Sequence, residues 1–216
     1  MIRPLVLALV ALVLATPARA ADPDPIVYSA EGTDVRFTLP AGACLADGDG
    51  PAEARLRTSA QSSTGARRLA LLFLPCAERD RLRGDGAARA QAYGHVGLFG
   101  TPADAGRRYA PLQSAPELKS KEWLEIRLAL LDVATRGPSE EPAASLPADE
   151  TGTHLLVLRK DGQNRQSVEL RSVATIGGFV FHIREFIPTA DVATVFAAMT
   201  NRRDWIRALQ DLNAES

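Results

Sequence analysis

Apolar and polar residues alternate most cleanly in the last third of the chain. Over Phe179–Ile187, the residues Phe179, Phe181 and Ile183 fall on one side and Val180, His182 and Arg184 on the other. That is the period of a strand with one face on a core. Ser167–Ile176 alternates likewise, with Val168, Leu170 and Ala174 in phase. Gly177-Gly178 between the two runs supplies the two-residue turn of a hairpin. His154–Arg159 reads as a further strand. Beyond Pro188 the period becomes that of a helix: Val192, Val195, Phe196, Met199, Ile206 and Leu209 form an apolar stripe, with Thr189 as its cap and Asn201 as a possible break.

The first half is less regular. Ile26–Ala30 and Asp34–Leu39 read as strands, the second with Val35, Phe37 and Leu39 on one face, and Pro40-Ala41-Gly42 stops it. Ala41–Gly50 reads as a loop. Ala52–Ser62 reads as a helix opened by Pro51. Leu69–Leu74 is apolar on both faces, as in a central buried strand. A short helix over Cys76–Arg83 follows, then a weaker strand over Gln91–Phe99, diluted by Gly94 and Gly97. Ser114-Ala115-Pro116-Glu117 is a capping box that predicts a helix over 115–135, although Leu124, Ile126, Leu128 and Leu130 also alternate as a strand would. Arg136–Gly152, rich in Pro, Ser, Glu and Ala, reads as a long flexible surface loop.

Strands outnumber helices, and the last three are joined by short connections. This predicts an α+β domain: an antiparallel or mixed sheet of about six to seven strands packed with helices, the C-terminal one long. The first twenty residues stand apart. Met1-Ile2-Arg3-Pro4 carries a positive charge, Leu5 to Ala15 is an unbroken apolar run, and Ala18 and Ala20 are small residues at the spacing a signal peptidase reads. This is the order of a secretory signal peptide, and the run is too short for a stable membrane span. Cleavage is expected between Ala20 and Ala21, leaving residues 21–216 as a single domain.

Composition sharpens that picture in two places. The formal net charge of −1 gives no reason to expect nucleic acid or an anionic membrane as partner. Nearly all basic residues are arginine, Lys119, Lys121 and Lys160 being the exceptions, and Ala and Arg are abundant together. That is the codon signature of a GC-rich genome and predicts a bacterial source. The only two cysteines, Cys44 and Cys76, are expected to form a disulfide in the oxidising periplasm or outside the cell. The rival reading is a redox thiol at Cys76, where a helix begins.

Candidate chemistry is sparse. His95, His154 and His182 are the only histidines; the last two lie on strands close enough for them to meet on one sheet face, but no paired-ligand spacing supports a metal, and sheet histidines are the expectation. Asp47-Gly48-Asp49-Gly50 opens like a calcium loop and then fails at Pro51, Ala52 and Thr58, so a turn is expected. Arg83-Gly84-Asp85 reads as a polar turn. Trp123 and Trp205 fall on helix faces and are assigned to packing. No G-x-S-x-G, S-x-x-K, phosphate loop or dinucleotide fingerprint occurs, so no catalytic residue, metal or cofactor is assigned.

Phe37-Thr38-Leu39-Pro40-Ala41-Gly42 resembles the strand–Pro–Gly opening of the PsbP-like and DcrB-like secreted domains, which also end in strands followed by a helix. The resemblance implies an accessory or binding protein without catalytic residues. The expectation is therefore a non-catalytic periplasmic or secreted accessory protein with a protein or small-molecule partner in the cell envelope. An envelope hydrolase with an unrecognised site, or an inhibitor or immunity-type protein that binds a secreted enzyme, are the alternatives.

Overall fold

The computed structural model describes residues 24–63, 68–101, 143–160, 166–189 and 191–214. The expected signal peptide with its cleavage point, the helix expected over 115–135 and Trp123 lie outside the described residues.

The described chain is α+β, as its alternation implied. Strands β1 (Ile26–Ala30) and β2 (Thr33–Phe37) form a hairpin of their own. The remaining strands are β3 (Ala43–Leu45), β4 (Arg68–Pro75), β5 (Tyr93–Gly100), β6 (Ala143–Asp149), β7 (Gly152–Lys160), β8 (Gln166–Ile176) and β9 (Phe179–Ile187). They form one antiparallel sheet in the order β3-β4-β5-β9-β8-β7-β6. Helices α1 (Pro51–Ser63), α2 (Cys76–Gly84) and α3 (Val192–Leu212) pack on it.

Two segments read as loop contain strands. β3 is three residues long, too short to show a period, and exists because Cys44 pairs with Leu74 across the sheet edge. β6 lies within the segment assigned to the loop 136–152 and pairs with β7 as the opposite edge. An edge position tolerates Pro147, which falls where the register shifts between Leu146 and Asp149.

The sheet has two covered faces. Leu71 and Phe73 on β4, Val96 and Leu98 on β5, and Phe181 and Ile183 on β9 meet Trp205, Ile206 and Leu209 of α3 and Val35 and Phe37 of the hairpin. Phe181 is fully buried, with its ring edge-on to Phe37 at 5.2 Å. Further along α3, Val195 and Met199 cover Leu156, Leu158, Val168 and Leu170. The alternate residues Leu72 and Leu74 face the other way, against Ala52, Ala60 and Leu82 of α1 and α2. Both-faced apolarity in β4 thus reflects burial on both sides.

Gly94, which had seemed to weaken β5, has a positive role. A Cβ there would lie 2.2 Å from the Phe73 ring, so the glycine makes room for a core aromatic. Gly177 and Gly178 take φ of 55° and 78°, and the hairpin register follows, with Ile176 opposite Phe179. Phe179, Phe181 and Ile183 share the core face as expected, but the opposite face is not a solvated one: Val180 and Arg184 are buried.

α3 runs unbroken through Asn201, which is exposed. Its cap is Asp191, not Thr189: the Asp191 carboxylate accepts from the Thr194 amide at 2.8 Å, while the Thr189 hydroxyl accepts from the Asp191 amide at 3.0 Å. At the other end Asn213 imitates a neighbouring strand. Its carboxamide accepts from the Arg36 amide and donates to the Arg36 carbonyl, both at 2.8 Å, closing the open edge of β2.

Candidate functional site

Cys44 and Cys76 form a disulfide, with Cα atoms 4.9 Å apart. It ties the edge strand β3 to the start of α2, reinforced by the Cys76 amide donating to the Gly42 carbonyl at 3.2 Å. The redox-thiol reading has no free cysteine to rest on.

The Asp-Gly-Asp-Gly turn is filled from within. The Arg83 guanidinium donates to Asp47 at 2.6 Å and to the buried Glu53 at 2.7 Å, and holds the Asp47 carboxyl below its ordinary value. A guanidinium thus stands where a calcium loop would hold its cation. Among the described residues, no cluster of three or more His, Cys, Asp or Glu is placed to hold a metal.

The histidines do not meet. The sheet register sets His154 opposite Ser172 and His182 opposite Val173, and consecutive residues of β8 point to opposite faces. His95 and His182 share the face turned away from α3. His95 is fully buried and neither ring nitrogen finds a hydrogen-bond partner; its ring stacks on Tyr93 at 6.2 Å. Burial, with the nearby Arg184 charge, pushes its pKa down to about 3.

His154 sits instead in a polar relay beneath α3. Thr151 donates its hydroxyl proton to Asp149, so its oxygen must accept from His154 Nε2 at 2.9 Å. Nδ1 is then the acceptor for the Ser172 hydroxyl, also at 2.9 Å. Serine, histidine and aspartate are thereby linked in an order that general-base chemistry uses. Yet Thr151, His154 and Ser172 are all buried, Ser172 to 1% exposure. Burial and the Arg203 charge hold His154 neutral, with a pKa of about 4. With Ser172 sealed from solvent, its hydrogen bond to His154 joins β8 to β7.

A second polar cluster lies on the face away from α3. Glu169 on β8 is fully buried and accepts four hydrogen bonds. Arg171 Nε and Arg184 Nε reach one oxygen, and Arg159 Nε and Arg171 Nη2 the other. Burial pushes Glu169 up, but the hydrogen bonds from Arg171 and Arg184 outweigh it and hold the carboxyl at about 2.

The open site is a groove of about 750 Å³ between the Thr38–Ala41 segment and α3. That volume lies in the range of small-molecule sites, roughly 300–1,000 Å³. Leu39 and Pro40 form one wall, and Ala197, Ala198 and Ala208 line the other. Trp205 joins the two: its indole Nε1 donates to the Thr38 carbonyl at 3.0 Å, and its ring meets Phe73 edge-on at 5.4 Å. The assignment of Trp205 to packing is therefore incomplete, since it also lines the groove.

The charged groups of the groove are Glu185, Arg202 and Asp204. Arg202 Nη2 donates to Glu185 Oε2. The Arg202 side chain is only 2% exposed, and its guanidinium lies 5.6 Å from the Trp205 ring centroid. That stacking gives the buried charge a partner although Nη1 makes no hydrogen bond. The Glu185 side chain is 31% exposed, and among the described residues no group donates to its Oε1. Sequence reasoning assigned no role to either residue. Glu185 sits on the core phase of an apolar strand, and that mismatch was the available signal.

No helix among the described residues is long and apolar enough to cross a membrane. No protein-family model matches this chain, and no curated protein matches it.

Proposed function

We propose that this chain is a non-catalytic binding or accessory protein of the cell envelope, and that its ligand sits in the groove between Thr38–Ala41 and α3. The observation that carries the reading is the groove's composition: apolar walls around a carboxylate with one oxygen to which no described residue donates. Such a mixture suits selective binding of a partly apolar molecule. Export is supported by the signal pattern and by a disulfide, which persists in oxidising compartments. N-terminal sequencing of the exported protein is expected to begin at Ala21-Asp22-Pro23.

The test is a thermal-shift and ligand-observed NMR screen of the mature protein against small molecules from envelope extract. Ala197→Phe serves as the control, because Ala197 is exposed on the groove wall and a phenyl ring there fills the groove without entering the core. Hits are expected to vanish in that variant. Hits that survive it place the site elsewhere.

The Ser172–His154–Thr151–Asp149 relay favours a second reading, an envelope hydrolase. A fluorophosphonate probe decides between them: labelling of Ser172 in the native protein supports the hydrolase, and its absence is the expected result.

A further inference from the structure

We propose that the groove selects a cationic amphiphile, a short apolar body ending in a protonated amine; this rests on the groove being the ligand site. The argument begins with which charges a ligand can reach. Arg202 is buried, bonded to Glu185 through Nη2 and stacked on Trp205, so its charge is largely compensated inside the protein. Among the described residues no group donates to one oxygen of Glu185, and about a third of its side chain is exposed. Asp204 stands at the rim, 66% exposed. Among the described residues its one ion pair is with Arg207, which reaches it only at 3.4 Å and is held more closely by Glu150 at 2.6 Å. Two carboxylates and one buried guanidinium leave the accessible field negative, and low-dielectric walls strengthen a field of one sign.

The walls then set the body of the ligand. Leu39 and Pro40 face a row of alanines on α3, so the groove offers apolar contact on both sides with little side-chain bulk. An alkyl or aryl segment lies along it and presents its ammonium to Glu185 Oε1. A carboxylate in the same place would meet Glu185 and Asp204, while the donor it needs on Arg202 is buried.

The probes are hexylamine, hexanol and hexanoate, which share one chain and differ in head-group charge. Binding is measured at pH 7 by calorimetry and saturation-transfer NMR. Hexylamine is expected to bind tightest, with hexanoate weaker by roughly tenfold or more, as a charge-assisted hydrogen bond and its loss imply. Glu185→Gln is expected to cut hexylamine affinity by roughly tenfold and to weaken hexanol much less. Because Glu185→Gln also strips Arg202 of its counter-charge, Asp204→Asn is measured beside it. That residue is exposed, its loss leaves the fold intact, and hexylamine should weaken by about two- to threefold.

Equal affinity for the three probes, tighter binding of hexanoate, or no hexylamine binding at millimolar concentration overturns the amine proposal. In the first two cases the groove itself survives if Ala197→Phe abolishes binding. Hexylamine binding that Ala197→Phe leaves untouched overturns the groove reading as well, because the amine then sits elsewhere.

Discussion

Glu169 and Glu185 lie on adjacent strands, each bonded to arginine, and they differ in one respect that separates a structural element from a site. Glu169 accepts four hydrogen bonds from three arginines, which fills the acceptor capacity of a carboxylate, and it is fully buried. Glu185 accepts one among the described residues, from Arg202, and opens into a groove. A saturated carboxylate has nothing left to offer a ligand and acts on the fold alone. An unsaturated one beside apolar walls can do both. Charge alone does not distinguish the two; the filled acceptors, and the burial that goes with them, do.

The largest effect that tests this contrast is Glu169→Ala. It leaves Arg159, Arg171 and Arg184 facing one another without their shared anion, and breaking a buried pair of this kind costs about 3–5 kcal/mol. Glu185→Gln is expected to cost less, about 1–3 kcal/mol, because the groove lets water reach the remaining groups. Urea unfolding of the two variants measures both, and equal losses would break the distinction. Arg184→Ala belongs to the same series. Alternation along β9 marks Arg184 as a mild control for Phe181→Ala, but it is buried against Glu169, so its loss should be clearly measurable. Phe181→Ala still exceeds it, at about 3–5 kcal/mol for a deleted core ring.

The disulfide sharpens the contrast from the groove side. Removing it by Cys44→Ala with Cys76→Ala frees a loop with a sequence separation of 32 residues. Loop-closure entropy puts that at about 3–4 kcal/mol, less whatever the edge pairing of β3 retains. The groove wall at Thr38–Ala41 runs directly into β3, where the Ala43 amide donates to the Pro40 carbonyl at 3.0 Å. The double variant, or reduction of the native protein, should therefore weaken hexylamine binding while the β7–β9 region keeps its amide-exchange protection. Binding unchanged by reduction would show that Trp205, through Thr38, holds the wall by itself.

The parts of this molecule that were legible in sequence are those whose signal is local. Gly177-Gly178 and the alternation around it specify the β8–β9 hairpin, and the stripe from Val192 to Leu209 specifies α3. Two cysteines and no others specify their own pairing once oxidised. β3 and β6 were not legible, because short edge strands exist through their partners and carry no period of their own. Nor was the ion cluster: alternation marks Glu169, Arg171 and Arg184 as off the core face and cannot say whether that face is wet. The groove was hidden for another reason. Thr38 and Trp205 are 167 residues apart, and only the folded chain brings them within a hydrogen bond.

The smallest expected effect concerns pH, and it separates the fold from the groove once more. His95 and His154 have folded pKa values of about 3 and about 4, against an ordinary value of 6.5. Between these limits the unfolded chain binds more protons than the folded one, so stability is complete above pH 6.5 and declines as pH falls through the window. Glu169, held at about 2 against 4.5, adds to the decline only below pH 4.5. His95 isolates one contribution, because its ring makes no hydrogen bond to lose. His95→Phe keeps the ring contacts with Tyr93 and Phe186 and removes two unpaired nitrogens, so stability at pH 7 should be unchanged or slightly higher. Its unfolding free energy should also fall less steeply than the native protein's between pH 6.5 and pH 4, by up to one proton's worth of slope. His95 is not among the residues that line the groove, so hexylamine affinity per folded molecule should follow the same course in both proteins. A His95→Phe variant whose acid profile overlays the native one would show that His95 escapes burial before it titrates.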